Sequence, residues 1–282
     1  MVRIFTDSTS DLSDDLLKKY NIGMIPLHIC LDTEEFRDRV EISPDQIYEW
    51  ADKNNTTPKT SAASYEDIEN AFRPVIEAGD EIIMLPISAQ MSTTINVMKM
   101  VAEDMEAADK ISVVDSANLS TGIGLSAIAA AIKAEGGASR EEIVAYLEEI
   151  IPKVRASFVV DTLTYLHRGG RCSAVAAMAG SILKLHPKIV VENGKMDAGK
   201  KYRGKMNAVI LNYAEDMKED LLNADPSRVF ITHSGCDEGT INTVKEYLEG
   251  LNHFDEILIT RAGGVISSHC GPGTLGVLYI AK

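Results

Sequence analysis

Cysteine is scarce in this chain of 282 residues. Its four cysteines are Cys30, Cys172, Cys236 and Cys270, and no two are spaced as a CxxC pair. Buried free thiols in a reduced interior are the better reading than a disulfide framework. With only six scattered histidines, the spacing also leaves no zinc pattern. Positive charge is short as well: 28 Lys and Arg stand against 42 Asp and Glu, a formal net charge of -14. A field of that sign repels phosphate backbones, so nucleic acid is not an expected partner. No apolar run reaches the roughly 18 residues needed to span a bilayer. The first residues run straight into Val2-Arg3-Ile4-Phe5, without a basic and then apolar leader, so a cytoplasmic protein is expected. There is no G-x-x-x-x-G-K-[ST] phosphate loop, no G-x-S-x-G elbow and no GxGxxG fingerprint. No cofactor and no metal are expected, and no catalytic machinery is evident.

What is present reads as a folded α/β protein. Hydrophobic residues make up 45% and charged residues 25%, and the length suits two domains. Short β-branched runs at 2–6, 24–29, 81–86, 110–114, 157–160, 188–191, 228–232, 256–260 and 276–280 predict strands. Between them lie helix signals. Ser43-Pro44-Asp45-Gln46 and Ser139-Arg140-Glu141-Glu142 are capping boxes, Ser64 with Asp67 starts another helix, and 205–222 and 239–251 are amphipathic. The alternation predicts two α/β domains with largely parallel sheets, covering residues 1–156 and 157–282.

Several clusters carry chemistry. Asp7-Ser8, Asp115-Ser116 and Asp161-Thr162 each end a predicted strand, and Thr232-His233-Ser234 ends another. They form either the polar rim of a cleft or a set of helix caps, and for any one residue the cap is favoured. Thr60 and Ser61 have no capping duty and are available to a ligand. The loop Ile87–Thr94, with hydroxyls at Ser88, Ser92, Thr93 and Thr94, opens a helix whose N–H groups attract an anion. His167-Arg168-Gly169-Gly170-Arg171 is a basic turn, read either as an anion-binding bend or as a helix C-terminus. Small residues with Met and Leu over 173–185, including Met178 and Leu183, suit a narrow apolar tunnel or a packed core helix. His269 sits between glycine-rich bends, Gly263-Gly264 and Gly271-Pro272-Gly273, that permit close approach to a ligand.

Taken in order, these pieces resemble the DegV family of fatty-acid-binding proteins. They are Thr6-Asp7-Ser8, Thr60 to Ser64, Ile87-Ser88 through Ser92-Thr93-Thr94, Val114-Asp115-Ser116, Phe158 to Leu163 through Gly169-Gly170-Arg171, Val191 to Lys195, and His269 to Gly273. The resemblance implies one long-chain fatty acid held between the domains, its acyl chain in a buried tunnel. Thr60 and Ser92 would bond the carboxylate, with Ser61 and Thr93 beside it. His269 would complete the network, and Arg171 would supply positive charge. It further implies a partner, the catalytic subunit of a bacterial fatty acid kinase serving phospholipid synthesis. That subunit would dock at Arg203 with Lys205 beside it, and transient membrane contact is part of the same expectation. Three positions depart from the family pattern. Ala62-Ala63 stands where Pro is frequent, Thr93 where Gly is frequent, and Cys270 where Thr is frequent.

The competing reading is a serine hydrolase acting on acyl esters, with Ser92 as nucleophile and His269 as base.

Overall fold

The computed structural model describes residues 1–173 and 185–282. Four strands, β1 (Val2–Asp7), β2 (Ile22–Ile25), β6 (Glu81–Leu85) and β7 (Ile111–Val113), form a wholly parallel sheet in the order β2-β1-β6-β7. Three short strands, β3 (His28–Leu31), β4 (Glu34–Arg37) and β5 (Lys59–Ser61), make a small antiparallel sheet in the order β4-β3-β5. A six-stranded sheet takes the remainder: β8 (Val154–Val159), β9 (Leu185–Glu192), β10 (Lys195–Arg203), β11 (Ala224–His233), β12 (Glu256–Arg261) and β13 (Leu275–Ala281), ordered β10-β9-β8-β13-β11-β12.

The α/β reading holds, and the parallel expectation holds in the first sheet. The six-stranded sheet is mixed: only β11 and β12 pair in parallel, and its other neighbours are antiparallel. The reason lies in the connections. The turn at Asn193-Gly194, with both residues at positive φ, closes β9 and β10 into a hairpin, which forces an antiparallel pair. The predicted strand over 24–29 is two strands in two sheets. Pro26 lacks the N–H a continuous ladder needs and breaks it between β2 and β3.

Helices follow their caps. Both capping boxes form, Ser43 starting α2 (Pro44–Asn54) and Ser139 starting α6 (Arg140–Ile150). Ser64 caps α3 (Tyr65–Glu77), and the loop after β6 opens α4 (Thr94–Asp104). The amphipathic run over 205–222 is two helices, α8 (Met206–Asp216) and α9 (Lys218–Leu222), and the next is α10 (Glu238–Gly250). The remaining helices used below are α5 (Thr121–Glu135), α7 (Thr164–Gly169) and α11 (Gly264–Cys270).

The centre of the molecule is α5. Its residues from Thr121 to Ala131 are all buried, as expected of a helix apolar on every side. It packs on β1 of the parallel sheet and on β8 and β13 of the mixed one. Close approach is possible because Gly124 lies under Leu12; a Cβ there would come within 2.7 Å of the Leu12 side chain. One apolar core therefore runs from Ile4 and Met84 through Ile128 to Phe158 and Leu278. No helix among the described residues is long and apolar enough to cross a membrane. Of the small-residue stretch over 173–185, Leu185 begins β9, and residues 174–184, with Met178 and Leu183, lie outside the described residues.

Candidate functional site

A cavity of about 380 Å³ opens at the carboxyl ends of the parallel strands, where open α/β sheets bind ligands. Leu27 follows β2, the segment Ile87 to Thr93 follows β6, and Leu119 lies between β7 and α5; together they build one wall. The facing wall is Thr60 to Ala62, Val265, Ile266, His269 and Cys270 of α11, Arg171, and Met196 of β10. All six residues expected at the ligand, Thr60, Ser61, Ser92, Thr93, Arg171 and His269, border this one cavity. Arg203 and Lys205 do not. Both are exposed, at the far end of β10 and at the start of α8.

The polar groups are bonded in pairs. Thr60 Oγ1 lies 2.8 Å from His269 Nε2, a contact between residues 209 apart in sequence. His269 Nδ1 is buried and has no hydrogen-bond partner among the described residues. Burial, helped by the nearby Arg171 cation, pushes the imidazole down to about 4, so the ring is neutral at pH 7. A neutral ring carries one N–H. Leaving a bare acceptor buried costs less than leaving an N–H donor unbonded, since an orphaned buried N–H is the rarer case. The tautomer with the proton on Nε2 is therefore favoured, and it donates to Thr60 Oγ1. The Thr60 hydroxyl proton is then free to point into the cavity.

Ser92 Oγ pairs with Thr94 Oγ1 at 2.8 Å and accepts from Thr94 N–H at 3.2 Å. It thus takes the first backbone donor of α4, while Thr93 is exposed and makes no side-chain cap bond. The Ser61 hydroxyl donates to Glu35 at 3.2 Å, in line with strand alternation that turns Thr60 and Ser61 to opposite faces. The basic turn is the end of α7: Gly170 takes the left-handed conformation (φ 66) as its C-cap. Arg171 leaves that turn and donates to Gly169 O at 2.7 Å. Gly169 is required there, because a Cβ would come within 2.3 Å of His269 Nδ1.

Strand-end carboxylates brace the wall rather than line it. Asp7 accepts from Thr9 N–H at 2.9 Å, as a cap does, and also from Ile87 N–H at 2.8 Å. Asp115 accepts from Ala89 N–H at 3.1 Å and from Ala117 N–H at 2.9 Å. Ser88 crosses to the β9–β10 turn and donates to Gly194 O at 2.8 Å. The glycines before His269 likewise approach protein rather than open space. Gly264 fits against Ile29, Ile47 and Asp38, where a Cβ would meet atoms at 2.5 to 2.8 Å.

Ser92 and His269 share the cavity, but their hydrogen bonds go elsewhere, to Thr94 and to Thr60. No carboxylate among the described residues bonds His269 Nδ1. Among the described residues, Ser92 and His269 are therefore not hydrogen-bonded to one another.

The whole chain, residues 1–282, matches the family model described as "Uncharacterised protein, DegV family". The chain belongs to the DegV family. A DegV domain-containing protein of Caldanaerobacter subterraneus is 31% identical over 283 residues, covering 100% of this chain and 99% of that protein. Protein DegV of Bacillus subtilis is 30% identical over 284 residues, with coverage of 100% and 99%. Among solved structures, a DegV family protein from Thermus thermophilus, described by its fatty acid binding, superposes with a TM-score of 0.91 at 29% identity, covering 100% of this chain and 99% of that one. DegV of Bacillus subtilis, described as a fatty acid binding protein, gives 0.86 at 29% identity with the same coverage. A stearic acid-binding protein from Eubacterium ventriosum gives 0.86 at 28%, again covering 100% and 99%.

Sequence reasoning missed two residues of this DegV chain that reach the site indirectly. Asp11 and Asp38 are buried carboxylates that accept from Gly263 N–H at 2.8 Å and Gly264 N–H at 2.7 Å, at the start of the helix carrying His269. Asp11 closes the hydroxyl run Ser8-Thr9-Ser10 and Asp38 stands between Arg37 and Arg39, but neither neighbourhood points to partners 252 and 226 residues away.

Proposed function

We propose that this protein binds a long-chain fatty acid, with the carboxylate at Thr60, Ser92 and His269 and the acyl chain in the apolar part of the cavity. The observation that carries this reading is the cavity itself. Hydroxyls, an imidazole and an arginine border it together with the apolar Leu27, Ile87, Met91, Leu119, Val265 and Ile266. Its volume falls within the roughly 300–1,000 Å³ of small-molecule sites. Its chemistry is that of an amphiphile with one anionic end.

Energetics divide the work. Burying an acyl chain yields about 0.8 kcal/mol per CH₂, against several kcal/mol of lost ligand freedom. The tail supplies affinity. A carboxylate leaving water needs donors. The Thr60 hydroxyl, freed by Nε2–H of His269, is one, the Ser92 hydroxyl can turn from Thr94 to be a second, and Arg171 supplies the opposing charge. His269 then acts as a neutral bridge that orients Thr60, not as an acid or base. Ser61 and Thr93 sit at the rim.

Arg203 and Lys205 are the proposed docking point for a kinase that phosphorylates the bound carboxylate. The seven steps from Met196, which lines the cavity, to Arg203 cover up to about 23 Å of strand, so the docking point stands well apart from the cavity. Metal and ATP would come with the partner.

Organic extraction of the purified protein followed by mass spectrometry should return about one long-chain fatty acid per chain. A lipid-free protein that also fails to take up added palmitate would refute the reading. Arg203→Ala should leave lipid content unchanged and reduce acyl-phosphate formation with a fatty acid kinase at least tenfold; equal rates would remove the docking assignment.

A further inference from the structure

Thr60 and His269 come from different parts of the fold, and two buried carboxylates tie those parts together. Asp38 follows β4 and belongs to the three-stranded sheet that carries Thr60: its N–H donates to Leu27 O at 2.8 Å, and β3 beside it pairs Ile29 with Thr60. Asp38 Oδ1 accepts from Gly264 N–H at 2.7 Å. Asp11, at the end of the turn after β1, accepts from Gly263 N–H at 2.8 Å and from the Ser120 hydroxyl at 2.6 Å. These amides belong to the first turn of α11, which has no intrahelical partners for them. Two carboxyl oxygens accepting at that helix end also complement its dipole.

Only five residues, about 8 Å of helix axis, separate Gly264 from His269. A seven-residue helix has little stability of its own. It is held as one unit by Ser267 N–H to Gly263 O and Gly271 N–H to Ser267 O, both 2.9 Å, and by the Ser268 hydroxyl on Gly264 O at 2.7 Å. Where the carboxylates fix the first turn, they fix the imidazole. Arg39 lies against the same point: a Cβ on Gly263 would meet its side chain at 3.2 Å, and its cation lowers the charge cost of both acids.

We propose that Asp11 and Asp38 are positioning residues of the head-group site, clamping α11 so that His269 stays bonded to Thr60. Their role in ligand binding rests on the fatty-acid reading above; their effect on His269 does not. The test uses the delipidated full chain, palmitate as probe, and the ¹H–¹³C resonance of the His269 ring in the ligand-free protein. Asp38→Ala and Asp11→Ala should weaken palmitate binding at least tenfold and move the His269 resonance toward its position in Thr60→Val. Adding Thr60→Val to Asp38→Ala should cost little more. Asp38→Asn and Asp11→Asn keep an acceptor oxygen, so binding should stay within about threefold of wild type, with a smaller resonance shift in the same direction. The inference is overturned if the Ala variants lose thermal stability yet bind palmitate normally with an unmoved His269 resonance. It is equally overturned if the Asn variants lose as much as the Ala variants. Where an Ala variant fails to fold, the Asn variants decide: an unmoved resonance rejects the clamp. Wild-type protein that does not bind palmitate refutes the fatty-acid reading alone, and the resonance still judges the clamp.

Discussion

Asp11 is fully enclosed, and its carboxyl is pushed up to about 7 because burial outweighs the donors from Ser120 and Gly263 and the nearby Arg39 cation, with the Asp38 charge adding to the rise. Its pKa in the fold therefore lies above that of an unfolded Asp. The stability it contributes is fully present below about pH 4 and is lost as pH rises through about 7. Asp7, raised to about 6 mainly by burial, acts in the same direction. His269 acts in the opposite one, since the unfolded chain takes up a proton near pH 6.5 that the buried ring refuses until about 4. Asp11→Asn isolates the first effect, because the amide oxygen still accepts from Gly263 and the amide nitrogen donates to Ser120. The stability of the variant relative to wild type should climb from pH 5 to pH 8, by up to about 1.4 kcal/mol per pH unit below pH 7. Urea unfolding at a series of pH values checks this; parallel curves would contradict it.

At the scale of elements, legibility followed exposure. Strands with β-branched runs and helices with Ser caps were readable because their signals are local. Ser139 illustrates this: it accepts from Glu142 N–H while Glu142 bonds back to Ser139 N–H at 2.8 Å. Ser139→Ala should cost about 1 kcal/mol, seen as a lower urea midpoint with unchanged palmitate binding. β10 was not readable. Its sequence, KMDAGKKYR, is mostly exposed and polar, as suits an edge strand, so hydrophobic alternation had nothing to mark. α5 was missed for the opposite reason, being apolar on all sides and so without the period of an amphipathic helix. The site divides in the same way. Thr60, Ser92, Arg171 and His269 stood out as polar clusters near turns. Asp11 and Asp38 did not, because their partners lie 252 and 226 residues away.

For the whole molecule, the shared burial of α5 makes the two halves interdependent. A fragment of residues 1–153 would leave the flank of α5 that faces β8 and β13 bare. Such a fragment should populate a loosely packed state that binds a hydrophobic dye, whereas the full chain should unfold in one transition. A fragment with a sharp, dye-silent thermal transition would show that the first half is self-sufficient.

The order of the six-stranded sheet carries one more consequence. β13 lies between β8 and β11, so the middle strand is the last of the six to be synthesised. On the ribosome, β8 and β11 emerge with their facing edges open and must wait for Leu275–Ala281 before the sheet can close. Deleting Leu275–Ala281 would leave β8 and β11 with two unpaired edges facing each other in the middle of the sheet, the kind of open edge that invites pairing with other chains.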